Sequence, residues 1–143
     1  MLLGKVTVSP MHSQVDLFVP DGQEDLPEWP EDEPLTHIVH IVATSECIYV
    51  GTISDMEGQV SVEAWLGESP AQETEPVYDG AFQVYHAGAL VGSWTGNHLA
   101  LLPLPEGSYH VRVFTFPEGS AHPDRVLFAL EALVEPTLRR DVV

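Results

Sequence analysis

The sequence is short of cysteine and of basic residues. Its 143 residues include one cysteine, Cys47, and five lysines or arginines against 22 acids, which gives a formal net charge of −17. A single cysteine cannot form an intramolecular disulfide, so an oxidising compartment is not implied. The negative charge repels nucleic acid and anionic membranes, whereas it favours cationic partners, metal ions or simple solubility. We therefore expect no binding to nucleic acid or membranes, and we expect any protein partner to be basic.

Long apolar runs are absent as well. No stretch approaches the roughly 20 apolar residues of a membrane-spanning helix, and residues 1–5 do not begin an apolar segment of signal-peptide length. The chain is therefore expected to be cytoplasmic.

Local motifs for covalent catalysis are missing. Cys47 lies in an apolar run beside no group that would lower the pKa of its thiol, so we predict a buried, inert thiol. Residues 92–96 lack the Gly-x-Ser-x-Gly spacing of a nucleophile elbow, and no glycine-rich loop could cradle a phosphate. We predict no catalytic residue and no cofactor, and we expect a protein that is not an enzyme.

The sequence does contain a series of short alternating segments. The clearest is residues 109–116, which follow a Pro-x-Gly turn at 105–107 and place Arg112 on the same face as two phenylalanines. That face is not plainly a solvent face. We therefore expect Arg112 to pair with a carboxylate across the sheet.

The segments together predict an all-β fold. About nine short strands, with turn signals every eight to twelve residues or so, are typical of a β-sandwich. The connections are too short for crossovers, so the predicted sandwich is antiparallel, with residues 1–143 in a single domain. Residues 125–135 fit either a strand or a helix. The β-rich context and Pro136 favour the strand, while the Leu, Ala and Glu content favours the helix.

Residues 20–36 are predicted to form an exposed acidic, proline-rich loop. Residues 20–34 contain four prolines and seven acids, with Trp29 in their middle. Prolines exclude a central strand or a long helix here, and a loop of this length often has a function. An aromatic anchor among carboxylates suits a protein interface, since tryptophan supplies binding energy and charge steers association. The residues predicted to bind a partner are Glu24, Asp25, Glu28, Trp29, Glu31, Asp32 and Glu33. The alternative is that Trp29 folds back and pins the loop onto the sheet.

Seven histidines raise the possibility of a metal site, but their spacing argues against one. There is no His-x-His, no His-Glu-x-x-His and no cysteine pair, and the acidic loop lacks EF-hand spacing for calcium. We predict no metal ligand. Only the fold could bring distant histidines together, as it does in jelly rolls of the cupin type.

Two segments resemble a known family. Residues 11–18 (Met-His-Ser-Gln-Val-Asp-Leu-Phe) and 105–113 (Pro-Glu-Gly-Ser-Tyr-His-Val-Arg-Val) are similar to small all-β bacterial proteins of the competence protein J type. That family is described as inhibiting a DNA-entry nuclease. The resemblance implies a small non-enzymatic β protein that binds and masks a basic, nucleic-acid-handling partner.

The leading hypothesis is therefore an acidic β-sandwich that acts by protein binding, as an inhibitor or immunity-type protein against a nuclease-like partner. The acidic surface would imitate the polyphosphate that such a partner attracts. The alternative is a jelly-roll ligand-binding protein or metal-dependent enzyme whose histidines converge in the sandwich. A third hypothesis is a structural or self-associating domain.

Overall fold

The computed structural model describes residues 1–24, 26–29, 39–71, 74–93 and 98–133. These residues form ten β-strands and one turn of 3₁₀ helix (Met11–Ser13). The strands are β1 Leu2–Val8, β2 Gln14–Phe18, β3 Ile41–Ala43, β4 Cys47–Gly51, β5 Val60–Leu66, β6 Tyr78–Val84, β7 Ala89–Ser93, β8 His98–Leu102, β9 Gly107–Phe116 and β10 Arg125–Ala132. The ambiguous segment is thus a strand, as its context favoured. Among the described residues, no helix could cross a membrane.

The strands form two five-stranded sheets. Sheet 1 has the order β1-β5-β10-β9-β6 and sheet 2 the order β3-β4-β2-β7-β8. Every recorded strand pair is antiparallel except β5 with β10, which is parallel. The predicted antiparallel sandwich is confirmed, with this one pair as its exception. Short connections make consecutive strands antiparallel, whereas β10 pairs with β5 across four intervening strands.

The main core lies between the two sheets. Alternation within each strand turns one set of apolar side chains inward, as a sheet with one buried face requires. Phe82 and Phe128 are its largest fully buried side chains, 1% and 0% exposed, and valines from both sheets fill the space around them. Tyr109, Val111 and Val113, which alternate along one face of β9, all lie in this core.

Each sheet also carries a smaller apolar cluster on its outer face. On sheet 1, Phe114 and Leu127 are buried beneath Ala71, which the connection between β5 and β6 supplies. The outer face of β9 is therefore not a solvent face, as predicted. Arg112 on β9 lies opposite Asp79 on β6, with 3.8 Å between Arg112 Nε and Asp79 Oδ2, which confirms its expected pairing with a carboxylate.

On sheet 2, the outer cluster consists of Phe18, Cys47 and Tyr49, with Trp29 and other half-buried side chains packed against it. Cys47 is 2% exposed, and burial raises the pKa of its thiol to about 12. The prediction of a buried, inert cysteine is confirmed, because the thiolate needed for nucleophilic attack is not formed near neutral pH.

Candidate partner-binding surface

A buried carboxylate, Glu46, organises the start of the acidic loop. Glu46 lies in the turn between β3 and β4 and is only 5% exposed. One of its oxygens, Oε1, accepts hydrogen bonds from the backbone N–H groups of Gln23 (2.5 Å) and Glu24 (2.6 Å). The other, Oε2, accepts one from the Tyr85 hydroxyl at 2.5 Å. The Glu46 carboxylate thus fixes both the start of the acidic loop, which follows β2, and Tyr85, which follows β6.

The hydrogen bonds determine the ionisation of this cluster. Burial by itself would raise the pKa of Glu46, but the bonds from Tyr85, Glu24 and Gln23 outweigh burial and lower it. The hydrogen bond between Tyr85 and Glu46 also raises the pKa of Tyr85 to about 12, because a carboxylate holds the hydroxyl proton. Near neutral pH Glu46 is therefore an anion and Tyr85 is its neutral donor.

Two further acids tie the loop to its surroundings. Glu24 returns the contact, since its Oε1 accepts from the backbone N–H (3.2 Å) and the hydroxyl (2.8 Å) of Ser45. Asp21 Oδ2 accepts from the backbone N–H of Ala87 at 3.1 Å. Glu24 therefore positions the loop, and no described residue bonds its second carboxylate oxygen.

Trp29 packs back onto sheet 2. Its indole N–H donates to Gln14 Oε1 at 2.8 Å, and its ring lies 6.3 Å from the ring of Tyr49. Gln14 in turn donates to Asp16 Oδ1 at 2.8 Å. Half-buried in this way, Trp29 anchors the loop as the alternative reading proposed, and its remaining exposed surface borders Glu28, which is exposed.

The structure describes three of the seven residues predicted to bind a partner. Glu24 contacts Ser45 in the turn between β3 and β4, Trp29 packs on the outer face of sheet 2, and Glu28 is exposed. The other four predicted residues, Asp25, Glu31, Asp32 and Glu33, lie outside the described residues.

The histidines that the structure describes do not cluster. His110 contacts Asp79, and His86 lies 3.3 Å from Glu106 on an exposed surface. Within the described ranges, no group of three or more His, Cys, Asp or Glu side chains could hold a metal ion.

The basic residues that the structure describes all lie on the opposite side of the molecule. Lys5 faces Glu63 across the strand pair β1 and β5, Arg112 pairs with Asp79, and Arg125 contacts Glu63 at 3.2 Å. All three are on the outer face of sheet 1. The surface around the acidic loop thus has no described lysine or arginine to neutralise it.

Sequence reasoning missed Glu46, Gln14 and Tyr85. Glu46 lies in a short turn, and its partners lie 22 to 39 residues away in the chain. One local signal was available for Gln14. It belongs to the His-Ser-Gln segment that carried the family resemblance, where His12 and Ser13 both have positive φ (59° and 55°). This tight turn delivers Gln14 to the start of β2.

A solved structure with a similar fold is the crystal structure of ComJ, inhibitor of the DNA degrading activity of NucA, from Bacillus subtilis. The two chains superpose with a TM-score of 0.65 over 93% of this chain and 98% of that one, at 18% sequence identity. No known family profile matches this chain, and no curated protein sequence matches it significantly. The structural match confirms the all-β sandwich and the resemblance drawn from residues 11–18 and 105–113. At this identity it concerns the fold.

Proposed function

We propose that this protein is a non-enzymatic inhibitor that binds and masks a basic, DNA-degrading nuclease. The observation that carries the proposal is the likeness of nearly the whole fold to ComJ, an inhibitor of the DNA-degrading activity of NucA. The net charge of −17 supports the same role. A nuclease must attract polyphosphate, and an acidic surface competes for the same positive groups.

The acidic loop is the surface that we propose meets the nuclease. Its described part is held by Glu46 at one end and by Trp29 at the other, so these residues lose little freedom on docking. Glu24 and Glu28 are exposed between these two anchors. Asp25, Glu31, Asp32 and Glu33 belong to the same acidic stretch, and we propose that they steer the basic partner.

The first test measures inhibition. DNA degradation by purified NucA, and separately by nuclease fractions from the cells that encode this chain, is followed as the protein is added. We expect inhibition that saturates at a fixed molar ratio to the nuclease. A control confirms that the protein itself does not bind the DNA. If neither NucA nor any nuclease fraction is inhibited, the proposal is contradicted.

The second test concerns the loop. Replacing Glu31, Asp32 and Glu33 by glutamine should slow association several-fold at low salt and flatten its salt dependence, because rim charges act on the association rate. The matched control replaces Glu68, Glu118 and Glu131, three exposed acids outside the loop, by glutamine. Both variants change the net charge equally. Equal association rates and salt slopes for the two would show that the loop is not the interface.

A further inference from the structure

Strand β6 has an edge to which no other described strand is hydrogen-bonded, and this free edge lies beside the start of the acidic loop. It ends sheet 1 and, among the described strands, pairs only with β9. The backbone N–H of Gln83 points away from β9 and donates to the carbonyl of Ser45 in sheet 2 at 2.8 Å. Antiparallel strands alternate between residues that bond their neighbour and residues that point outward. Asp79 and Ala81 therefore also turn their N–H and C=O groups outward, and both residues are exposed.

No described residue bonds these outward backbone groups of Asp79 and Ala81. Such a row is a template for another extended segment, which can add a strand to the sheet. The free part of the edge ends at Gln83, because the backbone N–H of Gln83 is already bonded to Ser45 in the turn between β3 and β4.

A groove runs next to this edge. Its volume is about 360 Å³, and it lies between Ala81 and Gln83 on one side and Glu24, Ser45 and Glu46 on the other. Its described lining contains no lysine or arginine. Side chains of a strand added to β6 would alternate between two faces, so that one lying beside Ala81 would face this groove and Glu24.

We propose that the free edge of β6 binds an extended, cationic segment of the partner by strand addition. This inference rests on the proposed function and assigns the partner's binding mode. Backbone groups of Asp79 and Ala81 supply hydrogen bonds, while the Glu24 carboxylate selects lysine or arginine. Two copies of this chain do not suit the edge. Each carries a charge of −17, and pairing β6 with its own copy would bring acidic edges together.

The variant that tests the edge is Ala81→Pro. Proline removes only an outward N–H, so the ladder between β6 and β9 keeps its bonds, and proline is tolerated on edge strands for this reason. Thr7→Pro on β1, the other edge of sheet 1, is the matched control. Ser61, which faces Thr7, directs its N–H toward Asp124 before β10, so Thr7 likewise points its N–H outward.

The probe is an acetylated, amidated eight-residue peptide of alternating lysine and threonine, followed by amide NMR spectra of the labelled protein. We expect the peptide to shift the amides of Asp79 and Ala81 and to slow their hydrogen exchange. Ala81→Pro should weaken binding at least tenfold, whereas Thr7→Pro should not change it. The same peptide with glutamate in place of lysine should not bind.

Shifts confined to other strands, or equal peptide affinity for folded Ala81→Pro, would overturn the inference. So would concentration-dependent shifts at Asp79 and Ala81 without peptide, because a second copy would then occupy the edge. If Ala81→Pro does not fold, the test is the amide hydrogen exchange of Asp79 and Ala81 in the unaltered protein. Exchange that the peptide does not slow would overturn the inference. Nuclease inhibition without peptide binding at β6 refutes this inference and leaves the proposed function standing. Peptide binding at β6 without nuclease inhibition refutes the proposed function instead.

Discussion

Replacing Glu46 by alanine should be one of the most damaging changes outside the core. The substitution removes three hydrogen bonds, from the N–H groups of Gln23 and Glu24 and from the Tyr85 hydroxyl. A bond to a charged group contributes about 1.5–3 kcal/mol when well buried. Gln23 and Glu24 are exposed, so water replaces part of the loss, and about 1 kcal/mol for each bond is the appropriate figure. We expect Glu46→Ala to lower the free energy of unfolding by about 3 kcal/mol.

Glu46→Gln separates charge from hydrogen bonding. Its carbonyl oxygen can still accept from the loop N–H groups, and the Tyr85 hydroxyl can turn to accept from the amide. Only the assistance of the charge is lost, which corresponds to about 1 kcal/mol.

The assay is urea unfolding at neutral pH, followed by circular dichroism. With a slope of about 2 kcal/mol per molar urea, the midpoint should fall by about 1.5 M for Glu46→Ala and about 0.5 M for Glu46→Gln. Glu106→Ala is the control, since the Glu106 carboxylate is exposed and faces only an exposed histidine. Its effect should stay within about 0.5 kcal/mol.

The pH dependence gives a second check. The folded-state pKa of Glu46 lies below its ordinary value of 4.5. Stabilisation by its carboxylate is therefore fully present above that value and is lost as the pH falls through the lower, folded-state pKa. The stability difference between the unaltered protein and Glu46→Gln should narrow below about pH 4.5. A midpoint for Glu46→Ala within 0.2 M or so of the unaltered protein, or a difference that stays constant with pH, would refute the role given to Glu46.

Three other predictions concern the sandwich itself. Phe128→Ala should cost about 3–5 kcal/mol, because the side chain is fully buried between the sheets; thermal unfolding measures this, and a loss below about 1 kcal/mol would contradict it. Cys47 should react with a thiol reagent at neutral pH only after unfolding, so rapid labelling of the folded protein would disprove its burial. Gly92→Ala should prevent stable folding or distort β8, since a Cβ at a φ of 139° would lie 2.1 Å from the carbonyl oxygen of His98; an unchanged melting temperature would contradict this close approach.

The strands that could be predicted from the sequence are those in which apolar and polar residues alternate along the chain. Residues 109–113 and 126–130 have apolar side chains at every second position, and these side chains lie in the core on strands β9 and β10. For residues 125–135 the helical reading fitted equally well along the chain. The sheet decided it, because β10 fills the place between β5 and β9 that a helix could not occupy.

The candidate site was less predictable because its contacts are long-range. Composition identified the acidic stretch and Trp29 as unusual, but not whether the indole faced outward or inward. The answer depended on Gln14 and Tyr49, which are far from Trp29 in the chain. Glu46 carried no signal at all, since a glutamate in a turn between two strands is normally solvated.

The position of β10 has a consequence for how the protein is made. All five described strands of sheet 2 have been synthesised once Leu102 has left the ribosome. Sheet 1 still lacks β10 at that point, because β10 ends at Ala132. Before then, β1 with β5 and β6 with β9 are two separate ribbons with no strand between them. A nascent chain in this state exposes two unpaired edges at the future middle of the sheet, where β10 will insert. We expect biosynthesis to be most vulnerable to misassembly at this late stage, between the synthesis of β9 and the arrival of β10.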